Sequence, residues 1–418
     1  MIRNPTEPIF WDKQDLRTEI DRVFDVCHQC RMCFNLCPSF PTLFKHVDEH
    51  DGEVRTLSEE EIAEVTDLCY QCKICYVKCP YTPPHHWDLD FPRLLLREKA
   101  VRVKEQGAAF QDRYLGDPDR TGKLGCHFAP VANFANRQSL FRKILSWTVG
   151  VHEERKLPDF AEETFQQWFQ KRPHPLKSDN KVAFFHSCFV NYYSVNQGIA
   201  AVEVLEKNGF EVLVPEQICC GMPFLDGGEV EKAISNMKSN VRTFSEFITA
   251  GIPIVSIGPT CTYVLKNEFA YFTQDPAAGK MSESTKDLCE FLMELKGKGQ
   301  LNTDFVMTPA KTISYQIPCH LRAQNMGYKS MDLLRTIPNV RVKLVEQCSA
   351  MDGTWGMKKQ FYELSLKMAG KLFREIKESP AEIVCTDCPL SAIQIEQGTK
   401  NVPVHPIEIL HHAYGLGG

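Results

Sequence analysis

The sequence predicts a multidomain α+β chain, with an N-terminal helical, cysteine-rich domain followed by tandem α/β repeats. Three observations carry that reading. The run CHQCRMCFNLCP, from Cys27 to Pro38, returns as CYQCKICYVKCP from Cys69 to Pro80. Beyond residue 180, short apolar strands alternate with helices, the signature of parallel α/β layers. That alternation occurs twice: Cys188 and Cys319 lie 131 positions apart, Cys219 and Cys348 129, and Cys261 and Ser391 130. The expected organisation is a helical domain over 1–110, an amphipathic connecting segment over 111–180, and α/β halves over 181–300 and 301–418.

Each N-terminal run has the order C-x2-C-x2-C-x3-C-P, the spacing at which ferredoxins hold a 4Fe-4S cluster. Three thiolates on one short loop close around one face of a cube, and the fourth comes from the other run. This pairs Cys27, Cys30 and Cys33 with Cys79, and Cys69, Cys72 and Cys75 with Cys37, giving two clusters. A zinc ribbon uses C-x2-C pairs without a proline-terminated fourth cysteine, and disulfides need an oxidising compartment. Residues between the ligands also repeat: Gln29 with Gln71, Arg31 with Lys73, Met32 with Ile74, Phe34 with Tyr76. Each cluster is therefore expected to have an apolar cover and one nearby positive charge. About thirty residues separate the runs and include SEEEIAEVTDL, with Ser58 as N-cap and Glu61 completing a capping box. A minimal ferredoxin has no room for this, so the domain reads as a helical dicluster ferredoxin. His85 and His86, in a proline-rich loop, are expected to be exposed.

The 418 residues, 43% of them hydrophobic, can bury a substantial core. A net charge of −5 gives no electrostatic case for nucleic acid as a partner. Eighteen cysteines in clusters point to metal. The N-terminus has no signal-peptide core, and no stretch approaches a spanning helix. The expected location is cytoplasmic, with peripheral attachment to the inner face of the cytoplasmic membrane as the alternative. In the connecting segment, Phe134, Leu140, Phe141, Ile144, Leu145 and Trp147 alternate with Arg137, Arg142 and Lys143. Phe160, Thr164, Phe165, Trp168 and Phe169 recur at helical spacing. Packing of the cluster domain onto the α/β halves is the favoured reading of both stretches, ahead of membrane-surface docking. KRPHPLKSDN then marks a turn-rich boundary.

In the first half, strands are expected at 181–186, 210–214 and 253–258, and helices at 195–207 and 229–249. In the second, strands at 312–316, 340–345 and 382–385 accompany a helix around Met331 and a long one over 358–377. The cysteines then fall at the carboxyl ends of strands, where open α/β sheets place their sites.

Cys188, the run CCGMP with Cys219 and Cys220, and Cys261 in GPTCTYVLK resemble the cysteine-rich CCG domain of the heterodisulfide reductase B subunit. The whole chain is similar to the C-subunit family of anaerobic glycerol-3-phosphate dehydrogenases. IPCHL with Cys319, DGTWGMK after Cys348, CPLSAIQIEQGT from Cys388, and the C-terminal HP and AYG carry that similarity. The family pattern has one cysteine, a pair followed by glycine, then C-x2-C, a set that can hold an unusual 4Fe-4S cluster. Here Gly258 replaces one cysteine of the first half, leaving four thiolates. Ser349 and Ser391 replace two in the second, leaving Cys319, Cys348 and Cys388, with Cys385 out of register. Serine is a poor substitute for a soft thiolate. The count favours a third metal centre in the first half and does not favour one in the second. Cys126 and Cys289 read as structural, and His320 as a core histidine rather than a ligand.

No G-x-G-x-x-G follows a strand and no P-loop occurs, so no hydride chemistry is assigned and no catalytic residue is named. The resemblance implies an electron-transfer subunit. A flavin dehydrogenase partner, acting on glycerol 3-phosphate or a 2-hydroxy acid, would pass electrons through two 4Fe-4S clusters to a quinone or another acceptor. The alternatives are a heterodisulfide reductase-type disulfide reductase working at the CCG site, or an electron donor to a soluble peroxide-reducing diiron protein.

Overall fold

The computed structural model of the chain describes residues 3–173 and 175–417. His174, inside the predicted turn-rich boundary, lies outside them. The N-terminal domain is helical: α1 (Lys13–Cys30), α2 (Ser39–Glu49), α3 (Glu59–Asp67), α4 (Ile74–Lys78) and α5 (Phe91–Gln106). Leu16, Ile20, Val23 and Phe24 of α1 recur on one face and meet Phe40, Leu43 and Phe44 of α2 and Leu94 and Leu95 of α5 in one core. The predicted capping box at α3 forms, with the Glu61 amide donating to Ser58 Oγ and the Ser58 amide to Glu61 Oε2. Phe10, Leu96 and Ala100 instead join a core of the first α/β half, so the two domains share buried surface.

The connecting region is more structured than the two predicted stretches. It contains α6 (Phe110–Leu115), α7 (Pro118–His127), α8 (Ala129–Asn136), α9 (Ser139–Thr148) and α10 (Phe165–Lys171). Buried Arg142 and Arg155 fasten it down. Arg142 donates to the carbonyls of His152, Glu153 and Arg155. Arg155 reaches across to Ser365 Oγ at 2.7 Å and Gln397 Oε1 at 3.0 Å. The packing reading holds for the second stretch only in part: Phe165 is fully buried against the α/β core, but Thr164 is the N-cap and Phe160 precedes the helix. For the first stretch it fails. Phe134, Leu140, Ile144 and Trp147 are exposed, Leu140 at 71% and Trp147 at 83%.

The first half forms a parallel sheet of β1 (Lys181–Phe185), β2 (Glu211–Leu213), β3 (Ile254–Ser256) and β4 (Thr285–Asp287), in the order β2-β1-β3-β4. The second has β5 (Thr312–Gln316), β6 (Arg341–Val345) and β7 (Ile383–Thr386), in the order β6-β5-β7. A parallel bridge from Cys385 to Val404 stands where β4 stands in the first half, so the topology repeats as the cysteine spacing implied. β4 escaped the sequence reading because TKD has no apolar alternation. The predicted helix over 358–377 is two, Tyr362–Met368 and Gly370–Lys377, broken at Ala369. Val182, Phe184, Leu292, Ile313, Tyr315, Ile407 and Leu410 form one core between the halves. Cys289 and Cys385 are buried in it, and the charges felt by Cys385 are those of Asp387 and Glu408 rather than of the other cysteines at the strand ends.

Gly198 records how tightly this core is packed. A Cβ there would lie 2.4 Å from the Phe165 ring and 2.7 Å from Val190. Gly198→Ala is expected to destabilise the chain by about 1–3 kcal/mol through overpacking, read from its denaturant midpoint; an unchanged midpoint would contradict the packing described.

Candidate metal and redox site

Cys27 and Cys30 sit on the last turn of α1, which stops because Arg31 turns left-handed at φ 50. Lys73 occupies the same place in the second run and turns the same way, at φ 63. Each reversal folds the following cysteines back onto the preceding pair. The strongest like-charge influences on Cys27 come from Cys33, Cys79 and Cys30. Those on Cys75 come from Cys72, Cys37 and Cys69. The structure thus brings Cys79 to the first run and Cys37 to the second. Burial pushes these thiols up: Cys33 and Cys69 rise to about 11, and Cys27 and Cys37 further. Packed sulfurs that resist ionisation alone fit a set of thiolate ligands whose charge a metal centre would compensate.

The two groups face different surroundings. Met32, Phe34, Val77 and Trp87 lie exposed around the first, where Arg31 is also exposed. At the second, Lys73 is buried, donates to Gln71 Oε1 at 2.8 Å, and faces buried Glu268 at 3.7 Å. The expected apolar cover and charge therefore diverge between the copies, one turned to solvent and one to the α/β halves. His85 and His86 pack beside Tyr81 and Trp87.

In the first α/β half, Cys188 follows β1, Cys219 and Cys220 follow β2, and Cys261 lies in the first turn of the helix Pro259–Asn267 after β3. Gly221, at φ 96, turns the pair back toward the strand ends. The four sulfurs lie close together in a row, with Cys219 beside Cys188 and Cys220, and Cys261 beside Cys220. Sulfhydryls of Cys219 and Cys261 stabilise the Cys220 thiolate, so its pKa is lowered and theirs are raised. A Cβ on Gly258 would stand 3.7 Å from Cys261 Sγ, beside the row.

The second half differs as its serines predicted. Ser391 Oγ donates to Ser349 Oγ at 2.9 Å, so the two positions without sulfur satisfy each other. Cys319, Cys348 and Cys388 still converge, with Cys319 3.5 Å from Asp352 Oδ2. Cys72 of the second run lies among the charges felt by Cys319, and Cys37 is close to Cys348. His320 is buried with both ring nitrogens bonded, Nε2 to the Gln71 carbonyl at 3.0 Å and Nδ1 to Thr260 Oγ1 at 2.9 Å. Burial lowers its pKa to about 4. It is a tether between parts of the chain, in keeping with the core reading. Cys126 Sγ donates to the Tyr192 carbonyl at 3.4 Å, a structural role.

A cavity of about 820 Å³ opens over the four-thiol row. Cys188, Cys219, Cys220 and Cys261 form its floor together with Asp226 and Asp352, while Phe110, Tyr114, Leu124, Phe128, Phe141 and Leu145 of the α6–α9 region wall it. Among the described residues the same region carries more than half of the exposed large apolar side chains, interspersed with exposed Arg113, Arg120, Lys123, Arg137 and Lys143. Among the described residues no helix is long and apolar enough to cross a membrane. Sequence reading missed Asp226 and Asp352. Their signal is an aspartate followed by glycine shortly after a strand-end cysteine, in CCGMPFLDGG and CSAMDGTWG.

Two cysteine runs on a helical domain, followed by paired α/β halves with cysteines at their strand ends, define an iron-sulfur electron-transfer subunit. Residues 20–108 match the Fer4-like domain of citrate utilization protein B, and residues 182–266 and 313–396 each match the cysteine-rich CCG domain. The C subunit of the anaerobic glycerol-3-phosphate dehydrogenase of Escherichia coli K12 is 31% identical over 303 residues, 72% of this chain and 76% of that protein. Lactate utilization protein A of Bacillus subtilis is 30% identical over 247 residues, 55% of this chain and 99% of that protein. The B subunit of the fumarate reductase (CoM/CoB) of Methanothermobacter marburgensis is 26% identical over 238 residues, 56% of this chain and 45% of that protein. The chain belongs to the family that comprises the C subunit of anaerobic glycerol-3-phosphate dehydrogenase and related CCG-domain iron-sulfur proteins.

In metal-free protein, Cys220 should alkylate ahead of Cys219 and Cys261 at neutral pH, since reaction needs the thiolate. Mass mapping of iodoacetamide adducts checks this: label on Cys220, lost in Cys220→Ser, is expected, and first labelling at Cys219 or Cys261 would contradict the charge assignment.

Proposed function

We propose that the chain takes electrons singly from a flavin dehydrogenase partner and delivers them to a lipid-soluble quinone in the cavity over Cys220. One observation supports it above the others: the same helices that wall an apolar cavity beside four thiols expose an apolar and basic face outward. That face suits a bilayer rich in anionic lipid, with aromatic side chains in the interface and cations among the headgroups. A quinone could then enter from lipid without crossing water. Under this reading the chain lies peripherally on the inner face of the cytoplasmic membrane.

Cys27, Cys30, Cys33 and Cys79 would hold one 4Fe-4S cluster, and Cys69, Cys72, Cys75 and Cys37 the other. Cys188, Cys219, Cys220 and Cys261 would hold a third centre. When bound, these groups supply one-electron transfer, chemistry that side chains lack. The residues of the chain orient the path. The exposed apolar rim of Met32, Phe34, Val77 and Trp87 offers a docking surface for the donor, while Cys72 and Cys319 bring the second run against the α/β halves.

The four-thiol floor also favours a second reading, in which a disulfide is reduced there. Disulfide turnover by the isolated chain, abolished in Cys220→Ser, would replace the quinone reading.

Two measurements test the proposal. Wild-type protein is expected to float with phosphatidylglycerol vesicles and to reduce menadione from dithionite-charged centres. Leu140→Asp with Trp147→Asp should stay with the soluble fraction at unchanged iron content. Equal flotation of both proteins would contradict the membrane face, and no menadione reduction by wild type would contradict the quinone.

A further inference from the structure

Quinone reduction consumes protons as well as electrons, and three carboxyls border the cavity, Asp117, Asp226 and Asp352, of which Asp226 keeps a buried oxygen without a hydrogen-bond partner. Asp226 ends the short helix Met222–Asp226 after the Cys219-Cys220 pair and stands between two spaces. On one side it lines the large apolar cavity with Cys220. On the other it lines a separate cavity of about 20 Å³, where Lys99, Lys358 and Thr354 stand among Leu95, Leu225 and Trp355. That volume has room for one water molecule with several polar neighbours.

The surroundings admit this carboxyl at close quarters. A Cβ on Gly353 would lie 2.5 Å from Asp226 Oδ2, so the backbone there leaves room only for glycine. Gly353 also has φ 50, a conformation that disfavours other residues. Asp226 Oδ1 is buried without a hydrogen-bond partner. Asp352 borders both spaces too, but Cys319 Sγ already donates to its Oδ2. Lys99 is buried for most of its length, with its side chain 19% exposed and its ammonium 4.0 Å from Asp67. It therefore connects the small cavity to the protein surface.

We infer that Asp226 is the proton donor to a quinone in the large cavity, reprotonated from solvent through the small cavity and Lys99. This inference rests on the quinone reading above. The quinone accepts two electrons from the iron-sulfur relay and two protons from water by way of Asp226, and leaves as the quinol. Each O–H bond formed on a quinone oxygen breaks an Asp226 O–H bond, and Lys99 replaces that proton through the intervening cavity.

The electrostatics agree with the geometry. Burial pushes the Asp226 carboxyl up to about 6, against the pull of Lys99 on α5, Lys73 in the second cysteine run and Lys358, with Cys220 adding to the rise. Asp352 also faces this space, and burial raises its pKa well above the usual range; Asp117 borders the large cavity, and Asp112 lies beside Gly227 and pairs with Lys358. Desolvation, helped by Lys358, lowers the pKa of Lys99, which eases release of its proton. An acid with a pKa near the working pH transfers protons most effectively.

The test uses the full iron-loaded chain with menadione as acceptor, following quinol formation and, with a pH-indicator dye, proton uptake. In wild type, turnover is expected to fall as pH rises through about 6, because the protonated donor is lost. Asp226→Asn should slow reduction by roughly 100-fold or more and abolish that limb, the range general-acid catalysis supplies. Proton uptake should slow with it, while iron content and electron uptake from dithionite report an intact fold. Asp226→Glu should recover part of the rate and the limb. Asp226→Asn matching wild type in rate, proton uptake and pH profile would overturn the assignment while leaving the quinone reading standing. A wild type that does not reduce menadione would overturn the quinone reading itself, and with it this role.

Discussion

His320 joins three parts of the chain through one imidazole. Its Nε2 donates to the Gln71 carbonyl inside the second cysteine run, and its Nδ1 accepts from Thr260 next to Cys261. Its ring stacks on Tyr263, 5.2 Å between centroids. The residue itself belongs to the second α/β half, so this half is wedged between the cluster domain and the four-thiol row. With both nitrogens occupied and burial holding it neutral, only one tautomer fits. Loss of the ring would leave the buried Gln71 carbonyl unpaired, at a cost of about 1–3 kcal/mol.

The two repeats differ on either side of that wedge. The first half keeps four thiols in a row at the floor of a large cavity. The second has lost two to serines that bond one another, and its remaining cysteines sit against Cys37 and Cys72. A similar asymmetry runs through the cysteine runs. Arg31 is an exposed partner of Asp48, whereas its counterpart Lys73 is buried opposite Glu268. The chain is thus polarised, with one run facing solvent, the other facing inward, and the cavity beyond.

Much of this was legible in the sequence. Cysteine spacing marks the two runs, and the two-cluster ferredoxin arrangement suggested the crossing of Cys37 and Cys79, which lie beside the opposite runs. Strand and helix alternation gave the tandem sheets, since buried parallel strands such as VAFF and ISY are continuous apolar segments. What failed was tertiary. The amphipathic pattern of Phe134–Trp147 reports an apolar face but not what that face meets, and packing was the wrong expectation. Asp226 and Asp352 stood in repeated Asp-Gly contexts but went unassigned, because a carboxylate gains its meaning from the cavity it borders. The strand Thr285–Asp287 has too few residues and too little apolar content to announce itself.

The central claim is that electrons pass from two clusters held by crossed cysteines to a centre beneath the cavity. Anaerobic iron and sulfide counting with low-temperature electron paramagnetic resonance, through a reductive titration, tests it most directly. Two interacting cubane signals accounting for about eight irons, plus a further iron-dependent signal that disappears in Cys220→Ser, is the predicted result. About eight irons in both proteins, with identical spectra, would contradict it and leave the four thiols as a metal-free floor.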